Sequence, residues 1–428
     1  MAPENHISPG LHVAVVGAGI IGCCAAFHLL EAGVRRVTLL DAGEPGSATT
    51  GAGAGFVSHW SAGFLPQLGL AGLAMQQYAL DFYRTLSALG TEIGYRPTGT
   101  LQLSLTEEGF ERFARPVLDS PWAPSGMRRL AAGEVGDLMQ GLVDPARIFG
   151  GVLNPHGIQV ETGLALALLV REIERRGGRV RAGTRVLGLR DHGSGVSIET
   201  SAETLEADRV VLSAGAWINE LLGPLGWRMP LMRMAATRIV TDDRGLASNL
   251  PTIQCRELRL WLRESFGAIT WGTVAGYAPL HGLDAATQAL QPGRPHVIAL
   301  LDRLMEQQGT ALEAVFPPLR GSKVASWSQG IPCYTPDHNL LVGIVPGHPA
   351  IIAAGGDNET GVSHGPGLGR LIAELALGAP TFVDARSFRL ERFAAADYPT
   401  EASVEAALLK ESPVLASMQA FATLRRSP

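Results

Sequence analysis

A doubly wound α/β domain joined to a discontinuous α+β domain is predicted by three observations. A short apolar run ends in a glycine fingerprint that opens a helix, a second glycine-rich stretch follows soon after Asp41 and a third lies far downstream at Ala354 to Ser363, and segments between these two alternate with period two. The 428 residues are 46% hydrophobic and 18% charged, enough for two packed domains and too apolar for disorder.

Thirty-five basic against 40 acidic side chains give a formal charge of -5, which argues against generic attraction to nucleic acid or an anionic membrane. A small-molecule partner is expected instead. Four cysteines (Cys23, Cys24, Cys255, Cys333) form neither a disulfide framework nor a zinc-finger spacing, so a reducing compartment and no metal are expected. The first ten residues carry no basic n-region, and the apolar stretch beyond them is broken by Gly17, Gly19 and Gly22. A cytoplasmic protein without a transmembrane segment is the expectation.

In order along the chain, Leu11 to Val16 reads as a strand, Ile20 to Leu30 as a helix closed by Gly33, and Val37 to Leu40 as a second strand. Two apolar parallel strands joined by a helix open a doubly wound sheet. Thr162 to Arg176 reads as a helix with Leu164, Leu168 and Ile173 inward, followed by a strand at Arg179 to Ala182. Val186 to Leu189, Val196 to Thr200 and Arg209 to Leu212 read as consecutive strands.

Leu73 to Leu89 is helical in pattern, while Thr100 to Leu105, Ala235 to Thr241, Leu258 to Arg263 and Ala268 to Thr273 alternate as antiparallel strands do. Asn339 to Val345 and Ala350 to Ala354 read as strands, Leu368 to Leu377 and Glu401 to Lys410 as helices. These patterns assign 11–60, 151–219 and 321–390 to one domain, 61–150 and 220–320 to a second, and 391–428 to a tail.

Gly17, Ala18, Gly19, Ile20, Ile21 and Gly22 follow a strand and open a helix, the context of a dinucleotide fingerprint. Gly17 permits the tight turn, Gly19 lets backbone approach a pyrophosphate, and Gly22 lets helix and strand pack. The helix N-terminus supplies unpaired N–H groups and about half a positive charge. Asp41, 19 residues after Gly22, is placed to accept from both hydroxyls of an adenosine ribose. The fingerprint alone does not choose between NAD and FAD.

Ser47 to Phe56 is a small-residue loop suited to moulding around a ligand longer than one nucleotide, with Thr49 and Thr50 as hydroxyl donors. A third turn, Ala354 to Ser363, precedes another helix. Its N–H groups and dipole suit the electron-rich edge of a reduced flavin.

VAVVGAGIIG through LLDAG at 13–43, SATTGAGAG at 47–55, ADRVVLSAGAW at 207–217, YTPDHNLLVG at 334–343 and AAGGDNETGVSHGPGLGRLIAEL at 353–375 stand in this order over most of the chain. This set resembles the flavoprotein family of D-amino-acid oxidase, glycine oxidase, sarcosine oxidase and dimethylglycine dehydrogenase.

The resemblance implies a Rossmann-like FAD-binding domain roofed by a discontinuous antiparallel-sheet substrate domain. It implies Gly17, Ala18, Gly19, Ile20, Ile21 and Gly22 at the FAD pyrophosphate, and Asp41 and Ala42 at the adenosine ribose. Thr49, Thr50, Gly51, Gly53, Ala54 and Gly55 would surround phosphate and isoalloxazine. Val186 would face adenine, and Ala214, Gly215 and Trp217 would complete that pocket. Gly355, Gly356, Asn358, Glu359, Thr360, Gly361 and Val362 would hold the ribityl chain and pyrimidine edge.

Two departures stand out. Many amino-acid-oxidising members carry an arginine shortly before the T-P-D turn as a carboxylate clamp, whereas Gly330 to Asp337 here contains none and resembles the dimethylglycine or sarcosine dehydrogenase turn, which leaves open a substrate without an α-carboxylate or with one bound elsewhere. The histidine by which some relatives tether FAD is also absent from 47–55. FAD is therefore expected to be non-covalent, with Cys333 as the alternative thioether position and a buried structural thiol as the default.

If Leu258 to Arg263 alternates, Arg259, Trp261 and Arg263 share a face, and a guanidinium there could grip a carboxylate in bidentate fashion. Arg263 is the favoured candidate; a solvated arginine pair is the alternative. Tyr334, His59 and His364 are further candidates for the substrate cavity, each otherwise a structural residue.

By resemblance, the activity is hydride transfer from the carbon beside an amine nitrogen to flavin N5, giving an imine that water hydrolyses. No catalytic triad or metal is required. Partners are an amino acid or secondary amine and either oxygen or an electron carrier. The alternatives are an FAD subunit of a hetero-oligomeric amine, proline or opine dehydrogenase, an NAD-dependent dehydrogenase, and a non-catalytic flavin-binding protein.

Overall fold

The computed structural model describes residues 8, 10–58, 65–90, 92–282, 295–394 and 396–411. The run HVAVV is buried along its whole length, as a valine-rich strand covered on both faces must be. His12–Val16 lies between Arg36–Leu40 and Arg209–Leu212, both parallel to it. The sheet order is Leu341–Val345, His348–Gly355, Arg209–Leu212, His12–Val16, Arg36–Leu40, Arg179–Arg181, and the edge strand Leu341–Val345 is antiparallel.

The three strands expected in succession after Val186 part company. Val186–Asp191 and Val196–Thr200 form a separate antiparallel meander with Thr204–Ala207, and Arg209–Leu212 leaves it for the parallel sheet. Burial separates them: the meander strand alternates between covered and open positions, whereas Val210, Val211 and Leu212 are buried in succession.

Helix Thr162–Arg175 buries Ala165, Leu166, Leu168, Leu169 and Ile173, a stripe at helical spacing. Leu164, expected inward, is 44% exposed because it falls on the opposite side of that stripe.

Helix Leu65–Ser87, kinked at Gly69 (φ 57), shares its core with the first sheet's helices, unlike the expected division. It packs against helix Gly361–Ala376, with Met75, Ala79, Tyr83 and Leu86 in the same core as Cys24, Leu368 and Ile372. Its apolar stripe meets the nucleotide-side helices, and residues assigned by sequence proximity to the second sheet therefore belong to the first core.

Helix Gly361–Ala376 begins seven residues earlier than the pattern predicts, through Gly361, Gly365, Pro366, Gly367 and Gly369, which disfavour an isolated helix. Packing decides it. A Cβ on Gly369 would stand 2.5 Å from the Cβ of Cys24, and one on Gly365 would stand 3.0 Å from Ile20, so the small residues let this helix press onto Ile20–Glu31. Pro366 removes the N–H that would bond to the carbonyl of Val362. The Tyr83 hydroxyl donates to that carbonyl at 3.0 Å instead.

Tyr83→Phe should therefore leave a buried carbonyl unsatisfied and cost about 1–3 kcal/mol. A thermal melt of the FAD-loaded variant indistinguishable from that of the parent would refute this role.

The second sheet runs Tyr277–Pro279, Met232–Thr241, Ala268–Thr273, Leu260–Ser265, Thr252–Cys255, Thr100–Ser104, Gly150–Asn154, Arg128–Ala131. It is antiparallel except where Thr252–Cys255 lies parallel to Thr100–Ser104. Val324–Gly330 and Cys333–Tyr334 also pair with Met232–Thr241, so the beginning of the segment expected in the first domain is hydrogen-bonded into the second. Helix Glu401–Glu411, in the tail, packs Val404 and Leu408 onto Met232, Met234, Tyr277 and Tyr334, and Glu401 pairs with Arg233 at 2.7 Å. No described helix is long and apolar enough to cross a membrane.

Candidate functional site

A cleft of about 720 Å³ separates the carboxyl ends of the parallel strands from the second sheet. Its walls include Gly17, Gly19, Asp41, the loop at Thr49 to Phe56, and the turn at Gly355 to Val362. This is where ligands lie in open α/β sheets.

The glycines of the first turn have distinct steric duties. Gly17 has φ +101, and a Cβ there would sit 2.4 Å from the carbonyl oxygen of Ser213; one on Gly22 would sit 1.9 Å from the carbonyl oxygen of Gly17. Both are needed for the turn to close. A Cβ on Gly19 would meet only the Thr50 hydroxyl at 3.3 Å, so its absence keeps the cleft open above the helix end. Ala18 and Gly22 themselves lie inside the turn, off the cleft wall.

Helix Ile20–Glu31 has no side-chain cap, leaving its first turn to other acceptors. The Ala18 N–H donates to Asp41 Oδ2 at 2.6 Å, and the Ile20 N–H donates to Thr50 Oγ1 at 3.0 Å. Burial raises the Asp41 carboxyl above its ordinary value, opposed by the N–H groups of Gly43 and Ala18. Val186, Ala214, Gly215 and Trp217 line the cleft, and the N–H of Thr184, two residues before Val186, donates to the Asp41 carbonyl at 2.7 Å.

The loop read as mouldable is pinned. The Ile331 N–H donates to Thr49 Oγ1 at 3.0 Å, Arg238 donates to the Gly53 carbonyl at 2.8 Å, and Arg263 Nε donates to the Ala54 carbonyl at 2.6 Å. Gly51 turns away from the cleft, while Thr49, Thr50, Gly53, Ala54 and Gly55 face it. In the third turn, Asn358 and Glu359 both take the left-handed conformation, with φ 47 and 68. Asn358 is locked by the Thr335 N–H at 3.0 Å and by its own donation to the Gly356 carbonyl at 2.6 Å.

Of the substrate candidates, Trp261 and Arg259 reach the cleft. The strand starts at Leu260, and Arg259, at φ 50, belongs to the preceding turn rather than to the alternating face. Arg263, the favoured clamp, is withdrawn behind the wall. Its guanidinium is 1% exposed and holds both oxygens of Glu161 at 2.9 and 3.1 Å. Arg96 joins Glu161 at 3.4 Å and Glu264 at 3.3 Å, completing a buried network under the loop at Ala54. A guanidinium so occupied has no fork left for a substrate.

His364 is also off the cleft: it is fully buried in helix Gly361–Ala376, its Nδ1 lies 3.2 Å from the Thr360 carbonyl, and burial lowers its pKa to about 4. Tyr334 is paired to Met232 in the second sheet and buried behind the cleft wall, close to Glu359. His59 lies outside the described residues. Cys333 is on the wall, and burial pushes its thiol well up, so it stays neutral. All four cysteines are buried and free, and among the described residues no group of three or more His, Cys, Asp or Glu could hold a metal ion.

Arg256 was invisible to the sequence reading. It lines the cleft from the turn before Leu260, burial lowers its pKa, and no carboxylate pairs with it among the described residues. Arg112 lines the cleft as well, across the connection between Thr100–Ser104 and Gly150–Asn154. Neither stands in a motif; only the topology of the second sheet brings them to the cleft.

The cleft fits FAD by the steric test. It continues from the uncapped helix end, kept clear at Gly19, to the turn at Gly355 to Val362, whose N–H groups precede a second helix.

Residues 12–375 match the family described as DAO, FAD dependent oxidoreductase. The glycine oxidase of Pseudomonas putida is 28% identical over 399 residues, covering 87% of this chain and 96% of that protein. Human mitochondrial dimethylglycine dehydrogenase is 23% identical over 391 residues, covering 89% of this chain, which spans 44% of that longer protein. The crystal structure of glycine oxidase from Geobacillus kaustophilus superposes with a TM-score of 0.77 at 21% identity, over 89% of this chain and 98% of that one. The chain therefore belongs to the FAD dependent oxidoreductase family, and it is an oxidoreductase with FAD as its cofactor.

Proposed function

We propose that the protein oxidises the carbon–nitrogen bond of a small amino acid or secondary amine that carries a carboxylate. The carrying observation is Arg256, a guanidinium on the cleft wall with no carboxylate partner among the described residues. Partly desolvated and unpaired, it is a seat for an anionic group of a ligand. The relatives named for glycine and dimethylglycine act on compounds of this kind, which supports the reading.

Held along the cleft by Gly17, Gly19 and the turn at Gly355 to Val362, FAD would supply the hydride acceptor for oxidation of the carbon beside nitrogen. The chain's own residues position the substrate. Arg256, with Arg259 and Arg112 nearer the mouth, holds the carboxylate; Trp261, 6.0 Å from Phe56 between ring centres, walls the pocket and excludes water from the reacting carbon. The loop tied to Arg238 and Arg263 keeps its backbone still against the cofactor.

Anaerobic addition of glycine, sarcosine, proline and D- or L-amino acids to the purified yellow protein should bleach its flavin band with at least one of them. If no carboxylated amine does so, while FAD is bound, the reading fails.

A further inference from the structure

The turn at the far end of the cleft contains a residue that sterics alone would not choose. Glu359 has φ 68, a left-handed conformation that glycine adopts without strain and a glutamate does not. Strain of this kind concentrates at working sites. Asn358, at φ 47 and fixed by Thr335, holds the turn in that form, and the Glu359 side chain opens into the cleft.

Two phenols from separate strands lie close to its carboxylate: Tyr277 of Tyr277–Pro279, on the cleft wall, and Tyr334 of Cys333–Tyr334, buried behind it. Trp261 and Tyr277 both line the cleft, so Glu359 opens beside the substrate wall. The titratable groups facing Glu359 are Tyr334, Tyr277 and Asp357; no arginine, lysine or histidine pairs with it among the described residues. A carboxylate with two phenols and no counter-ion, in a cleft that oxidises amines, lacks a cation.

We propose that Glu359 is the seat of the substrate's ammonium group and the base that takes its proton before carbon–hydrogen cleavage. This rests on the amine-oxidation reading above. The N–H bond of the ammonium breaks, its electron pair stays on nitrogen, and the proton forms an O–H bond on the Glu359 carboxylate. The products are a neutral amine, able to lose hydride, and a neutral carboxylic acid, which returns its proton to water after the imine leaves. No electron changes hands in this step.

The electrostatics suit the task. Crowding by the cleft walls is the leading influence on Glu359 and raises its carboxyl, the hydroxyls of Tyr334 and Tyr277 oppose it, the neighbouring Asp357 adds to it, and the outcome is about 7. A base with that value is half available at neutral pH and strong enough to accept an ammonium proton. The sign follows: substrate oxidation falls as pH drops through about 7, where Glu359 becomes protonated.

The test uses the FAD-loaded protein and its Glu359→Gln variant. In anaerobic rapid mixing with a substrate that bleaches the parent, the parent's reduction rate should rise with pH through a limb near neutrality. The variant should lose that limb and reduce roughly 100-fold more slowly at neutral pH. FAD content is measured in both proteins, and rates are compared per bound flavin.

A second readout does not depend on turnover. Glycine betaine, a permanent cation with no N–H, should perturb the parent's flavin spectrum with an affinity that rises as Glu359 ionises, and bind the variant without pH dependence. Should the variant retain FAD poorly, Glu359→Asp, which keeps the charge, should restore both the limb and pH-dependent betaine binding. A variant with the parent's pH profile and a rate within threefold overturns the role of Glu359 alone. Failure of every amine to bleach the parent overturns the function itself.

Discussion

Arg263→Met should cost the protein about 3–5 kcal/mol of stability and much of its hold on FAD, because it strands a buried carboxylate. Glu161 is 16% exposed, and its two oxygens are both engaged by Arg263. Arg96, at 3.4 Å, is too distant to replace that fork. Burial raises the Glu161 carboxyl, and the hydrogen bonds and charge of Arg263, with the charge of Arg96, outweigh it and leave the group below its ordinary value of 4.5.

The sign follows from that direction. A depressed carboxylate contributes fully above 4.5, and its contribution fades as pH falls through the lowered value. The difference in melting temperature between parent and variant should therefore shrink in acid. Because Arg263 also holds the Ala54 carbonyl, the variant should release FAD at a lower temperature than the parent. Adding Glu161→Gln to Arg263→Met should recover part of the loss, since the stranded charge is gone. A double variant as unstable as the sum of the two singles would show that the ion pair is not what holds the loop.

Arg256→Gln should act on the substrate and spare the fold. Losing a hydrogen bond between charged groups costs about 1.5–3 kcal/mol, a rise of roughly 10- to 150-fold in KM for an amine that carries a carboxylate. An amine of similar size without a carboxylate should be little affected. FAD content and melting temperature should stay at parental values, because Arg256 makes no ion pair within the described protein. An equal loss for both amines would remove Arg256 from carboxylate recognition.

The contrast between these two arginines marks the limit of sequence reading. Alternation puts Trp261 and Arg263 on one face, and the structure keeps them there. What alternation cannot carry is the partner opposite. Glu161 arrives from the start of helix Thr162–Arg175 and occupies Arg263, while Arg256 sits in a turn with no periodic signature and is left unpaired. His364 is a similar case: it follows a glycine-rich turn, yet the helix extends back to Gly361 and buries it.

Legible in the chain alone were the parallel strands and the glycine turn at Gly17 to Gly22, because each depends on local sterics or on spacing along one strand and one helix; the family and its cofactor were legible through the resemblance of five separated motifs. Tertiary structure alone decided which core takes Leu65–Ser87, how a helix survives four glycines and a proline, and which charged side chains remain free to meet a ligand. Those outcomes turn on close approach and charge pairing between segments distant in sequence, and the energy of such contacts is written in no single segment.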